Sequence, residues 1–140
     1  MNAHMNAHMN MDANGRWKEL CTLLQIVALP VTGQMRLVSD DCCRLELLAR
    51  KLRTWRRELP AELAATLTPE QEDVLAQLER QLARTCREPV SPRWTERAMR
   101  RSAGVREARR LARAALLRFG WWLELPAHDL LQRSGLVTCA

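Results

Sequence analysis

The stretch "RRSAGVREARRLARAALLRFGWW", residues 100 to 122, sets Arg100, Arg101, Arg106, Arg109, Arg110, Arg113 and Arg118 ahead of an aromatic cluster. A guanidinium group stays charged at any physiological pH and presents a planar fork of N–H donors, which matches carboxylate and phosphate oxygens two at a time. Between residues 93 and 118 only Glu96 and Glu107 offset nine arginines. A charge run most often forms a solvated helix face, and such faces mix their signs to gain i,i+4 pairs worth about 0.2–0.5 kcal/mol each. This one does not, and a polyanion would relieve its repulsion. A second stretch, residues 44 to 58, carries six basic and two acidic groups, so the net charge of +6 is concentrated in two places. The candidate nucleic-acid-binding residues are Arg97, Arg100, Arg101, Arg106, Arg109, Arg110 and Arg113 from the first stretch. Arg50, Lys51, Arg53 and Arg57 join them from the second. Such a face grips phosphate backbone, which gives affinity with strong salt dependence rather than sequence choice.

The other reactive side chains form no constellation. His4 and His8 stand one turn apart if their segment is helical, a spacing compatible with a soft metal. Two imidazoles without a neighbouring thiol or carboxylate seldom hold an ion. Asp40 and Asp41 sit where a helix starts, and the helix dipole favours carboxylates there in any protein. His128 beside Asp129 has no nucleophile near it in sequence. Cys21, Cys42, Cys43, Cys86 and Cys139 are odd in number, include an adjacent pair and make no CxxC, so they read as reduced buried thiols. With no phosphate loop, zinc spacing or nucleophile motif, the chain reads as a non-enzymatic protein without metal or cofactor, and a small-molecule substrate is not expected.

The elements that must position the arginines are helices. Leu, Ala, Arg and Glu make up 72 of the 140 residues, whereas Val and Ile together supply eight and Tyr none. Straight-chain residues lose little rotamer freedom in a helix, while β-branched ones suit strands. The expected fold is all-α: a compact bundle of about four to six helices. Residues 16–140 form one helical domain, and residues 1–15, built on the repeat "MNAHMNAHMNMD", a flexible tail. The six prolines, at 30, 60, 69, 89, 92 and 126, punctuate the bundle.

The spacing predicts a first helix near 16 to 29, with Trp17, Leu20, Leu24 and Val27 or Ala28 inward. A second helical region covers roughly 34 to 58, restarting at Ser39, with Val38, Cys42, Leu45, Leu48, Leu52, Trp55 and Leu59 inward. "AELAATL" adds a short turn. Thr68 then caps the clearest helix, with Pro69 first inside it and Gln71 completing a capping box. Val74, Leu75, Leu78, Leu82 and Cys86 face its core, and Arg80, Arg84 and Arg87 suit the dipole at its end. "REPVSP" is a linker, and "AHDLLQRSG" is a final short helix.

Taking about 100° per residue from Arg93, Arg97, Arg100 and Arg101 fall on one side of a straight helix, and Arg106, Arg109, Arg110 and Arg113 on the other. The first group would share its side with the apolar face of Val105, Ala108, Leu111, Ala112, Ala115 and Phe119. A bend or break at "SAG", residues 102 to 104, is therefore expected, with Gly104 as its weak point. It would turn both arginine groups toward one outer surface.

Trp94, close to Arg93 and Arg97, suits stacking on unpaired bases, although core packing is the commoner role, above all for Trp55 and Trp122. The longest apolar run, "LLQIVALPV", is too short to span a bilayer, and the polar first fifteen residues carry no signal peptide, so the expected compartment is the cytoplasm. The function expected is a small basic helical subunit that holds RNA or single-stranded DNA by its backbone, with other protein subunits of a larger assembly as partners. In size, helicity and basic stretches the chain is similar to the small all-helical subunits of CRISPR effector complexes, which implies a nucleic-acid path lined by basic residues. No diagnostic motif carries that likeness. The rival is a helical adaptor for an acidic protein surface. A third reading, peripheral membrane binding through the amphipathic helix at 104 to 122, is disfavoured by its alanine-rich apolar face.

Overall fold

The computed structural model describes residues 3–30, 44–87 and 100–121, and among them there are helices and no strands. The helices are α1 (Ala3–Ala28), α2 (Arg44–Arg57), α3 (Ala61–Ala64), α4 (Pro69–Cys86) and α5 (Ala103–Phe119). The fold is all-α, as composition implies. Val38, Asp40, Asp41, Cys42, residues 88–92 of the linker "REPVSP", Trp94, Arg97, Trp122 and the helix expected at the C-terminal end lie outside the described residues.

Local chemistry sets the helix ends. Thr68 Oγ1 accepts the Gln71 N–H at 3.1 Å while the Gln71 side chain accepts the Thr68 N–H at 2.9 Å, the reciprocal capping box that starts α4. Ser102, in extended backbone (φ −74°, ψ 120°), caps α5 by accepting the Val105 N–H at 3.1 Å. At the other end Gly120 takes the left-handed conformation (φ 72°), and the N–H groups of Gly120 and Trp121 close onto the carbonyls of Leu117 and Leu116. That Schellman arrangement needs a residue without Cβ strain, which glycine supplies. The helical backbone of α1 reaches back to Ala3, well upstream of the start expected at Arg16. The upstream residues contain no proline, and a helix already nucleated gains one hydrogen bond for each residue it adds.

Four helices close a ring. α2 packs on α1 and α4, and α5 packs on the same two, so α2 and α5 occupy opposite corners. Side-chain contacts give the directions. Trp55 Nε1 donates to the Arg16 carbonyl at 2.7 Å, joining the end of α2 to the middle of α1. Gln71 donates to the Arg118 carbonyl at 3.1 Å and Gln81 to the Gly104 carbonyl at 3.5 Å, so α4 and α5 run antiparallel. Arg113 Nε donates to the Ala28 carbonyl at 3.1 Å, and Trp17 meets Phe119 at 6.0 Å, which sets α5 antiparallel to α1. One end of the bundle therefore collects the aromatic residues Trp17, Trp55, Phe119 and Trp121. The opposite end collects the close of α1, the starts of α2 and α5, and the close of α4.

The core is the sum of the four inward faces. Leu20, Leu24 and Ile26 meet Leu45, Leu48, Leu52 and Trp55, then Leu75, Leu78 and Leu82, then Val105, Leu111 and Leu116. Burial of each such side chain stabilises by about 1.5–3 kcal/mol relative to exposure. The inward face of α5 is otherwise small, with Gly104, Ala108, Ala112 and Ala115 buried, and small side chains let its neighbours approach closely. Thr22 and Thr85, absent from the expected core, are buried too, because each hydroxyl donates to the carbonyl four residues earlier, Lys18 at 2.9 Å and Gln81 at 2.8 Å.

Candidate nucleic-acid interface

The arginine-rich segment breaks where expected, but serine makes the break. Residues 100 and 101 are helical, Ser102 is extended, and α5 starts afresh after it, while Gly104 lies buried in the first turn. An extended cap residue ends one helix and starts the next more decisively than a glycine weakens either. The break brings the turn before it alongside α5, since Arg106 Nη1 donates to the Arg100 carbonyl at 3.2 Å. Arg100, Arg101, Arg106, Arg110 and Arg113 are exposed and Arg109 is half-buried.

Some of this charge is already engaged. Arg110 Nε lies 3.0 and 3.1 Å from the two Glu107 oxygens. The hydrogen bond from Arg110 holds the Glu107 carboxyl below the usual carboxylate range; desolvation opposes it, and the charges of Arg110 and Arg84 add lesser pulls in the same direction as the hydrogen bond. Arg113 spends its Nε on the last helical carbonyl of α1, a cap for that helix as much as a surface charge. A guanidinium has five donors, so one such bond leaves others for a ligand.

The second basic stretch does not adjoin the first. Arg50, Arg53 and Arg57 are exposed and Lys51 is half-buried, all on the corner opposite α5. Arg50 is 3.7 Å from Glu46 one turn earlier, with both side chains more than half exposed (63% and 61%), so that pair holds loosely. Arg57 shares the outer face of Arg50 and Arg53 but lies one turn past Arg53, at the aromatic end. A common surface for both stretches therefore needs α4, the helix between them, to be basic as well. It is: Arg80, Arg84 and Arg87 are all exposed on its outer side. Sequence reasoning assigned these three to the dipole at the end of α4. Their i, i+4, i+7 spacing opposite the Leu75, Leu78, Leu82 face was the signal for a basic ridge.

Arg80 and Arg87 face α2 across a groove of about 490 Å³. Glu46, Ala49, Arg50 and Arg53 line it from α2, and Glu79, Arg80, Ala83, Cys86 and Arg87 from α4. Glu79 is taken by Arg56, whose Nη1 lies 2.8 Å from its carboxylate across the interhelical boundary. Four arginines thus stand over small side chains, Ala49 and Ala83, with Glu46 the carboxylate left at the rim. Arg84, hydrogen-bonded to Gln81 at 3.1 Å and close enough to bias Glu107, leans the other way, toward α5.

Antiparallel packing gives this face its position. The first half of α2, the second half of α4 and the first half of α5 share one end of the bundle, and Arg50, Arg80, Arg84, Arg87, Arg106 and Arg110 share it with them, while Arg53 stands just past the middle of α2. The exposed carboxylates Glu58, Glu62, Glu70, Glu72 and Asp73 lie at the aromatic end. Among the described residues Arg50 and Arg53 stand on the α2 side of α4 and Arg100, Arg101, Arg106 and Arg110 on the α5 side, with Arg80, Arg84 and Arg87 between them. Arg57 stands one turn beyond Arg53 at the aromatic end, Arg113 reaches α1 through the Ala28 carbonyl, and Arg109 and Lys51 are half-buried. No helix of the described residues is long and apolar enough to cross a membrane. Comparison with known families, characterised proteins and solved structures finds no match for this chain.

Proposed function

We propose that this chain is a small, non-enzymatic basic subunit of a larger nucleoprotein, which holds RNA or single-stranded DNA by its phosphate backbone. One observation carries the reading: arginines from three successive helices of the ring, Arg50 and Arg53, Arg80, Arg84 and Arg87, and Arg106 and Arg110, line one side of one end of the bundle. Glu46, Glu79 and Glu107 are the carboxylates interspersed among them, and Arg56 draws off Glu79. A strand laid from the α2–α4 groove over α4 to α5 meets a guanidinium at each helix. Rigid helices fix the backbone positions of these groups, so the ordering cost of binding falls on the exposed arginine side chains alone.

The test is salt dependence. With Arg80, Arg84 and Arg87 all changed to Gln and the fold retained by circular dichroism, a labelled single strand should bind more weakly. The slope of log K against log salt should fall by about two, because each phosphate contact on a single strand contributes about 0.7. Arg57→Gln should change little. An unaltered slope in the triple variant rejects the reading. An acidic protein adaptor would instead copurify with its partner and leave oligonucleotides unbound at moderate salt.

A further inference from the structure

We infer that the α2–α4 groove seats one unpaired base of the bound strand, so that the protein distinguishes exposed bases from paired ones and does more than hold backbone. The inference rests on the backbone-binding reading and adds a ligand group to it. A site for phosphate alone needs donors on a surface and no depth. This groove offers a half-open concavity of about 490 Å³, within the roughly 300–1,000 Å³ typical of sites that hold a small organic group. Ala49 and Ala83 are among its lining residues, and a bulkier side chain at either position would intrude on it.

The walls suit a nucleobase in a second way. Guanidinium groups of Arg50, Arg53, Arg80 and Arg87 border an apolar floor, and a guanidinium plane offers a base both a stacking surface and a cation against its π-face. The same four groups neutralise the phosphates on either side of the seated nucleotide. Arg56, locked to Glu79 at 2.8 Å, removes the carboxylate that would otherwise repel the strand from the α4 wall. A base within a duplex has both faces covered by its neighbours, so it reaches the groove only after unstacking.

Equilibrium binding to the full-length protein at one fixed salt concentration tests this with three ligands of equal length. These are a base-bearing single strand, a strand of abasic units with the same phosphates, and a duplex. The base-bearing strand should bind about tenfold more tightly than the abasic one, the scale of one base–side chain stacking contact. Ala83→Leu, which places a bulkier side chain on the floor, should bring that ratio close to one. Equal affinity for base-bearing and abasic strands overturns the inference and leaves backbone binding standing. Absence of binding to all three, even at low salt, overturns both. The abasic comparison uses the unaltered protein, so it decides the matter whether or not Ala83→Leu folds.

Discussion

Trp55 ties two helices with one side chain. It is 2% exposed, and its indole N–H donates to the Arg16 carbonyl at 2.7 Å, while its ring meets Trp17 at 5.6 Å. Trp55→Ala should cost about 3–5 kcal/mol in denaturant unfolding, and Trp55→Phe about 1–3 kcal/mol, because Phe keeps much of the volume but abandons the carbonyl. A Phe variant as stable as the parent would show that this hydrogen bond contributes nothing. At Glu107 the issue is charge. Its carboxyl is held below the usual range by Arg110, so the ion pair persists from neutral pH down through the ordinary glutamate range. Its contribution, present above the unfolded-state value, is lost only as pH falls through the lower folded-state value. Glu107→Gln at neutral pH should release Arg110 and raise single-strand affinity by about fivefold at roughly 0.1 M salt, the worth of one further phosphate contact. Oligonucleotide titration of the variant checks this, and unchanged affinity would mean that Arg110 lies off the strand's path.

Helix boundaries separate what local chemistry writes into the chain from what only packing decides. Thr68, Pro69 and Gln71 announce α4 through groups within one turn of each other, and the helix begins there as read. Ser102 carries the same kind of signal, a capping hydroxyl, and it rather than Gly104 sets the break. Ser102→Ala should destabilise the protein by about 1 kcal/mol in thermal or denaturant unfolding, and should also weaken single-strand binding, because the cap holds the turn of Arg100 against Arg106. Loss of stability with binding unchanged would separate the break from the binding face. The start of α1 was not legible, since Met, Asn, Ala and His set neither a cap nor a stop, and helix continuation there depends on the nucleus downstream.

Which faces point inward was readable in the whole molecule, and which helices are neighbours was not. Leu45, Leu48 and Leu52, or Leu75, Leu78 and Leu82, declare a buried stripe by spacing alone. Nothing in one helix's periodicity names the helix across from it, so the diagonal placement of α2 and α5, and hence the role of Arg80, Arg84 and Arg87, emerges only from the assembled ring. The same ring sorts charge lengthwise. Among the described residues most exposed arginines stand at one end, and Glu58, Glu62, Glu70, Glu72 and Asp73 outnumber Lys18, Arg57 and Arg118 at the other. A body charged in this manner carries a permanent dipole moment along its long axis. In the field of a distant polyanion it experiences a torque, and it turns its arginine pole forward before first touch. Productive encounters then become more frequent than random tumbling allows, and the advantage fades once added ions shorten the reach of that field below the length of the molecule.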